Sequence, residues 1–145
     1  MKEKRIIGRK DKVCIPDLGI ENVSAKIDTG AYTSSIHCHH IEEVEIDGKA
    51  AICFELFDPK HKNYTHKEIV ADIYKQKQIK SSTGHTEKRY IIKTTIMLFG
   101  ELYPIELSLS KRGTMKYPIL IGRKLLNKKF IVDTSKNNLS YKASR

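Results

Sequence analysis

Apolar and polar positions alternate in short runs along much of this chain, and β-branched residues fill many of the apolar positions. A two-residue period puts successive side chains on opposite faces of a strand. Residues 40–46 and 49–57 flank Asp47-Gly48. An Asp-Gly pair between two such runs predicts a hairpin, because both central turn positions favour positive φ. A second hairpin is predicted from 93–99 and 102–109, with its turn at Gly100-Glu101. In its return strand Ile105, Leu107 and Leu109 point one way, and Glu106 and Ser108 the other. Further strands are predicted at 12–15, 23–27, 69–74, 79–81 and 117–121. Residues 122–129 alone read as a helix, with good helix formers and cations that suit a helix C-terminus. Short strands with closely spaced turns predict an all-β barrel or sandwich.

A length of 145 residues fits one domain, 1–145, with 1–5 and 134–145 left as ends free to be flexible. The apolar share of 39% is too high for a disordered chain, yet no apolar run is long enough to span a bilayer. The N-terminus breaks its apolar stretch after Ile6-Ile7, unlike a secretory signal. Cys14, Cys38 and Cys53 form no CxxC pair, so they read as reduced thiols of a cytoplasmic protein. The net charge of +10 favours anionic partners, an acidic peptide among them. No nucleic-acid motif accompanies the cations, so nucleic acid is a minor option. No Gly-rich lysine loop occurs, so no ATP site is expected.

Three segments could carry chemistry. Asp28-Thr29-Gly30 follows a short strand; taken alone, Asp and Gly there are also ordinary turn residues. Downstream, the apolar run Ile119-Leu-Ile121 leads into Gly122, where a missing side chain allows another backbone to come close. The third segment is Ile36-His-Cys-His-His40. Strand alternation puts His37 and His39 on one side, two ligands where zinc needs three or four. His61, His66, His85 or Cys53 could add to them, but no HExxH motif occurs. The plainer reading is a polar strand end with incidental histidines. Glu42, Glu43, Glu45 and Asp47 read as a solvated strand face.

Ile27-Asp-Thr-Gly-Ala31 followed by Ile119-Leu-Ile-Gly-Arg123 resembles the retropepsin-type aspartic protease pattern. The likeness extends through Lys26 to His37, Thr94-Thr-Ile-Met-Leu-Phe-Gly100, Ile105 to Arg112, Met115 to Arg123 and Phe130-Ile-Val-Asp133. Together these stretches are similar to a small bacterial family, the RimK-associated ATP-dependent zinc proteases, over roughly residues 6–133.

The resemblance implies a closed or partly open β-barrel of the retropepsin-like acid protease type, with one short helix near the C-terminus. It implies a peptidase whose aspartyl dyad forms across a homodimer, because each chain holds one Asp-Thr-Gly. Two carboxylates held about 3 Å apart cannot both ionise and so share a proton. In this pattern Asp28 is catalytic, Thr29 braces the loop and Gly30 lets substrate backbone approach. Ala31 carries no hydroxyl to lower a carboxylate's pKa, which suits a dyad working nearer neutral pH. Ile121, Gly122 and Arg123 would support the loop from the neighbouring strand. Residues 80–89 would form a flap over the cleft, with Thr83, Gly84 and His85 touching substrate beside Ala31. The association points to acidic peptide tails made by RimK-type ATP-grasp ligases, and any ATP dependence would come from that partner. One departure is Tyr32, where retropepsins carry an acid that pairs with the arginine; Arg123 thus lacks its expected partner, and Asp133 is the candidate replacement. Two alternatives stand beside the peptidase: a zinc-dependent hydrolase using His37 and His39, and a non-catalytic peptide-binding module.

Overall fold

The computed structural model describes residues 3–80, 83–111 and 116–144, without the side chains of 79 and 80. Ser81, Ser82, Arg112 and Met115, which enter the expectations above, lie outside the described residues. The strands are β1 (Arg5–Ile7), β2 (Lys10–Ile15), β3 (Ile20–Ile27), β4 (Ser34–Ile46), β5 (Lys49–Leu56) and β6 (Glu68–Asp72). They continue as β7 (Lys75–Lys80), β8 (Thr86–Leu98), β9 (Glu101–Ser110), β10 (Ile119–Ile121) and β11 (Phe130–Val132). The helices are α1 (Arg123–Leu126) and α2 (Leu139–Ala143).

Six strands close into a barrel in the order β10-β3-β2-β8-β9-β4, and β4 pairs with β10 to complete the ring. The expected all-β barrel is therefore present. Alternation along β8 and β9 sends Ile92, Ile96, Leu98, Ile105, Leu107 and Leu109 into the core. β5 and β6 extend the outer half of β4 into a side sheet, and β7 pairs with the first half of β8 as an arm.

The turn at Asp47-Gly48 forms as predicted, with φ of 52° and 78°. The second hairpin turns one residue earlier than predicted. Leu98 pairs with Glu101, so Phe99 and Gly100 are the central residues, with φ of 53° and 75°. A bulky residue at positive φ is uncommon. Here packing holds it: the Phe99 N–H donates to Ser140 Oγ at 2.8 Å, its ring stacks on Phe130, and the Arg5 guanidinium lies 4.6 Å from its centroid.

The C-terminal segment differs more. The helix predicted over 122–129 is only the four-residue α1, which buries Leu125 and Leu126 and ends before Lys128 takes φ of 68° into β11. β11 pairs with β1 in parallel. The second helix, α2, lies in the stretch expected as a free end. Asp11, 1% exposed on β2, accepts hydrogen bonds from the backbone N–H groups of Ser140 and Tyr141 at 2.9 and 3.1 Å. A carboxylate from a distant strand thus satisfies donors at the start of α2. Among the described residues, no helix is long and apolar enough to cross a membrane.

Candidate active site

The loop after β3 is held by backbone groups of a segment remote in sequence. β10 runs parallel to β3, pairing Ile121 with Ile27, and antiparallel to β4. Just beyond that pairing, the Asp28 N–H donates to the Ile121 carbonyl at 2.8 Å. Arg123 N–H donates to the Ala31 carbonyl at 2.8 Å and Lys124 N–H to the Tyr32 carbonyl at 2.9 Å. Gly122 N–H donates to Ser34 Oγ at 3.0 Å. These bonds bring the two backbones so close that a Cβ on Gly122 would lie 2.6 Å from the Tyr32 oxygen. Glycine is required there for lack of space.

Within the loop, Gly30 N–H donates to Asp28 Oδ1 at 3.0 Å, and Ala31 N–H to the Asp28 carbonyl at 3.3 Å. The side chain of Asp28 is thereby fixed by its own turn. Arg123 Nη1 donates to the Thr29 carbonyl at 2.9 Å, and its guanidinium lies 5.8 Å from the centroid of the Tyr32 ring. The arginine therefore finds partners without an acid at position 32. Asp133, the expected candidate, is engaged elsewhere: its Oδ1 accepts from Ser135 N–H and Oγ at 2.9 and 2.6 Å, which holds its carboxyl below the usual range. The structure thus brings Asp28, Thr29, Gly30 and Ala31 together with Ile121, Gly122 and Arg123.

Asp28 borders a cleft of about 280 Å³, whose walls include Gly30, Ala31, Ser110, Lys77 and Arg89. The two cations come from the β7–β8 arm, where they are register partners. Thr83, Gly84 and His85 sit exposed at the tip of that arm and are not among the residues lining the cleft. The predicted flap, 80–89, reaches Arg89 but looks to the tip for substrate contacts, and it stops short of Lys77. Only the register of β7 against β8 could have pointed lower down.

The histidines part company. β4 carries an irregularity between Cys38 and His40 in its pairing with β5, which interrupts strict alternation. His37 is 6% exposed, and neither ring nitrogen has a hydrogen-bond partner. Burial lowers its pKa, with the Asp58 carboxylate opposing. His39 is exposed and meets the Tyr64 ring edge-on. Among the described residues, no group of three His, Cys, Asp or Glu is placed to hold a metal ion. The His37/His39 pair does not fit a zinc centre.

A family model, the retropepsin-like aspartic endopeptidase RimB, matches residues 6–143. The chain belongs to the RimB-like family. That family is described as one of retropepsin-like aspartic endopeptidases, in agreement with the barrel and the Asp28 loop. It is 35% identical over 134 residues to a probable alpha-L-glutamate ligase of Shewanella pealeana, covering 92% of this chain and 29% of that protein. It is 34% identical over 130 residues to one of Desulfotalea psychrophila, covering 90% of this chain and 28% of that protein. The chain spans less than a third of the length of these curated relatives. A crystal structure of a Legionella pneumophila protein of unknown function (DUF785) superposes with a TM-score of 0.75 at 24% identity, covering 95% of this chain and 99% of that one. That likeness speaks for the fold.

Proposed function

We propose that this RimB-like chain hydrolyses peptide bonds with a dyad made of Asp28 from each of two copies related by a two-fold axis. The observation that carries the reading is the Asp28 loop, braced by Ile121, Gly122 and Arg123 at the edge of a cleft, with one such loop per chain. A two-fold arrangement would set identical acids face to face. Sharing one proton, one carboxylate takes a proton from water as it attacks the scissile carbonyl carbon, while the other donates a hydrogen bond to the carbonyl oxygen. Collapse of the tetrahedral intermediate breaks the C–N bond as the amine nitrogen gains a proton. Thr29 and Gly30 hold the loop and leave room for substrate backbone, and Ala31 lines the approach. Thr83, Gly84 and His85 would close over substrate from the arm.

The substrate class we propose is an acidic peptide, such as the product of a glutamate ligase. The support is the net charge of +10, the cations in the cleft, and relatives described as probable glutamate ligases. Free thiols at Cys14, Cys38 and Cys53 fit a cytoplasmic setting. The test is hydrolysis of a peptide ending in an oligoglutamate tail, with sedimentation of the same protein. Turnover by a dimer, lost on Asp28→Asn, is expected. Undiminished turnover by Asp28→Asn overturns the mechanism, and a strict monomer that remains active overturns the shared dyad.

A further inference from the structure

The cleft carries a charge arrangement that the hydrolytic chemistry does not use. Lys77 on β7 and Arg89 on β8 are directly opposed in the antiparallel register. Like charges in that relation destabilise a strand pair. Both line the cleft beside Asp28, which is the only acid among its described lining residues. The Arg89 side chain is 20% exposed, so most of it is withdrawn from water. Its Nε is buried and has no hydrogen-bond partner. The acid beside it, Glu87, stands 4.0 Å from Nη2 and is itself 59% exposed. A pair at that distance with one partner in solvent contributes little.

An anion seated between the two cations would relieve their repulsion. A planar guanidinium fork matches a carboxylate, and an ammonium opposite adds a second donor without a fixed geometry. We infer that Arg89 and Lys77 form a subsite that takes a side-chain carboxylate of a peptide lying in the Asp28 cleft. Arg89 sets the orientation and Lys77 adds charge. The inference rests on the peptide-cleft reading above and gives it a specificity determinant: a glutamate side chain is accepted there and its uncharged amide is not.

Binding can be read apart from hydrolysis. In Asp28→Asn protein, hexaglutamate and hexaglutamine are titrated by calorimetry at fixed ionic strength. Hexaglutamate is expected to bind more tightly. Arg89→Gln in that background should weaken hexaglutamate by about tenfold or more, and Lys77→Gln by about threefold, the range of charge-assisted hydrogen bonds and exposed ion pairs. Arg89→Lys should restore only part of the loss, and hexaglutamine should bind all these variants alike. Lys77 is exposed, so Lys77→Glu tests the subsite even where an Arg89 variant folds poorly; it should reduce hexaglutamate binding further than Lys77→Gln. No preference for hexaglutamate, unchanged binding in both cation variants, or equal losses for both peptides overturns the subsite. Because no turnover is needed, this outcome is distinct from failure of the Asp28 mechanism.

Discussion

Two chemistry-bearing segments behave in opposite ways. Thr29 and Arg123 are 94 positions apart in the chain, yet their groups meet at 2.9 Å. His37 and His39 are neighbours but one, and the fold buries one ring and exposes the other. The first pair meets because β10 is inserted between β3 and β4, fixing register over three elements at once. The second pair differs in burial next to the irregularity in the β4–β5 register between Cys38 and His40. Proximity along the chain is thus a poor guide to a shared site here, whereas backbone pairing between distant strands is a good one.

The sharpest way to break this contrast is at the braced loop. Asp28→Asn should lower turnover by about 10²- to 10⁴-fold, the range of positioned acid–base groups. Its unfolding midpoint should hardly move, because asparagine retains an oxygen for the Gly30 N–H. Gly122→Ala should destabilise by about 2–3 kcal/mol, measured by urea unfolding, as the added Cβ forces the Tyr32 carbonyl away. Arg123→Ala should cost about 1 kcal/mol by removing the bond to Thr29, with a further fall in turnover as the loop loosens.

At the histidines the effects should be smaller and of another kind. The His37 pKa is lowered in the fold by burial, so the unfolded chain takes up a proton that the folded one refuses. Stability should therefore fall as pH drops below the ordinary histidine value of about 6.5, until the lowered folded value is passed. His61, also lowered first by burial, works in the same direction. His37→Gln should flatten the melting temperature between about pH 7.5 and about pH 5. His39→Ala, at an exposed position, should change stability by less than about 0.5 kcal/mol.

Much of the barrel is legible because alternation and turn residues are local signals. Asp47-Gly48 marks one hairpin, and the alternation of Ile105, Leu107 and Leu109 sets the core face of β9. The turn at Phe99 lies one residue from its expected place because its positive φ is upheld by Ser140, Phe130 and Arg5, none of them near it in sequence. α2 leaves no local trace for a similar reason: its first amides are satisfied by Asp11 rather than by a neighbouring cap. At the site, Asp28 and Gly122 are legible as motifs. The pairing of Lys77 with Arg89 is not, since it lies in a cross-strand register that a single strand's pattern does not contain.

The late position of β10 has a consequence for biosynthesis. β3 and β4 leave the ribosome long before residues 119–121 are made, and until then each lacks the neighbour that joins them. A nascent chain therefore presents two open edges where a barrel seam will later form. The turn bearing Asp28 has no scaffold during that interval, so its braced shape forms only once residues 119–124 are in place.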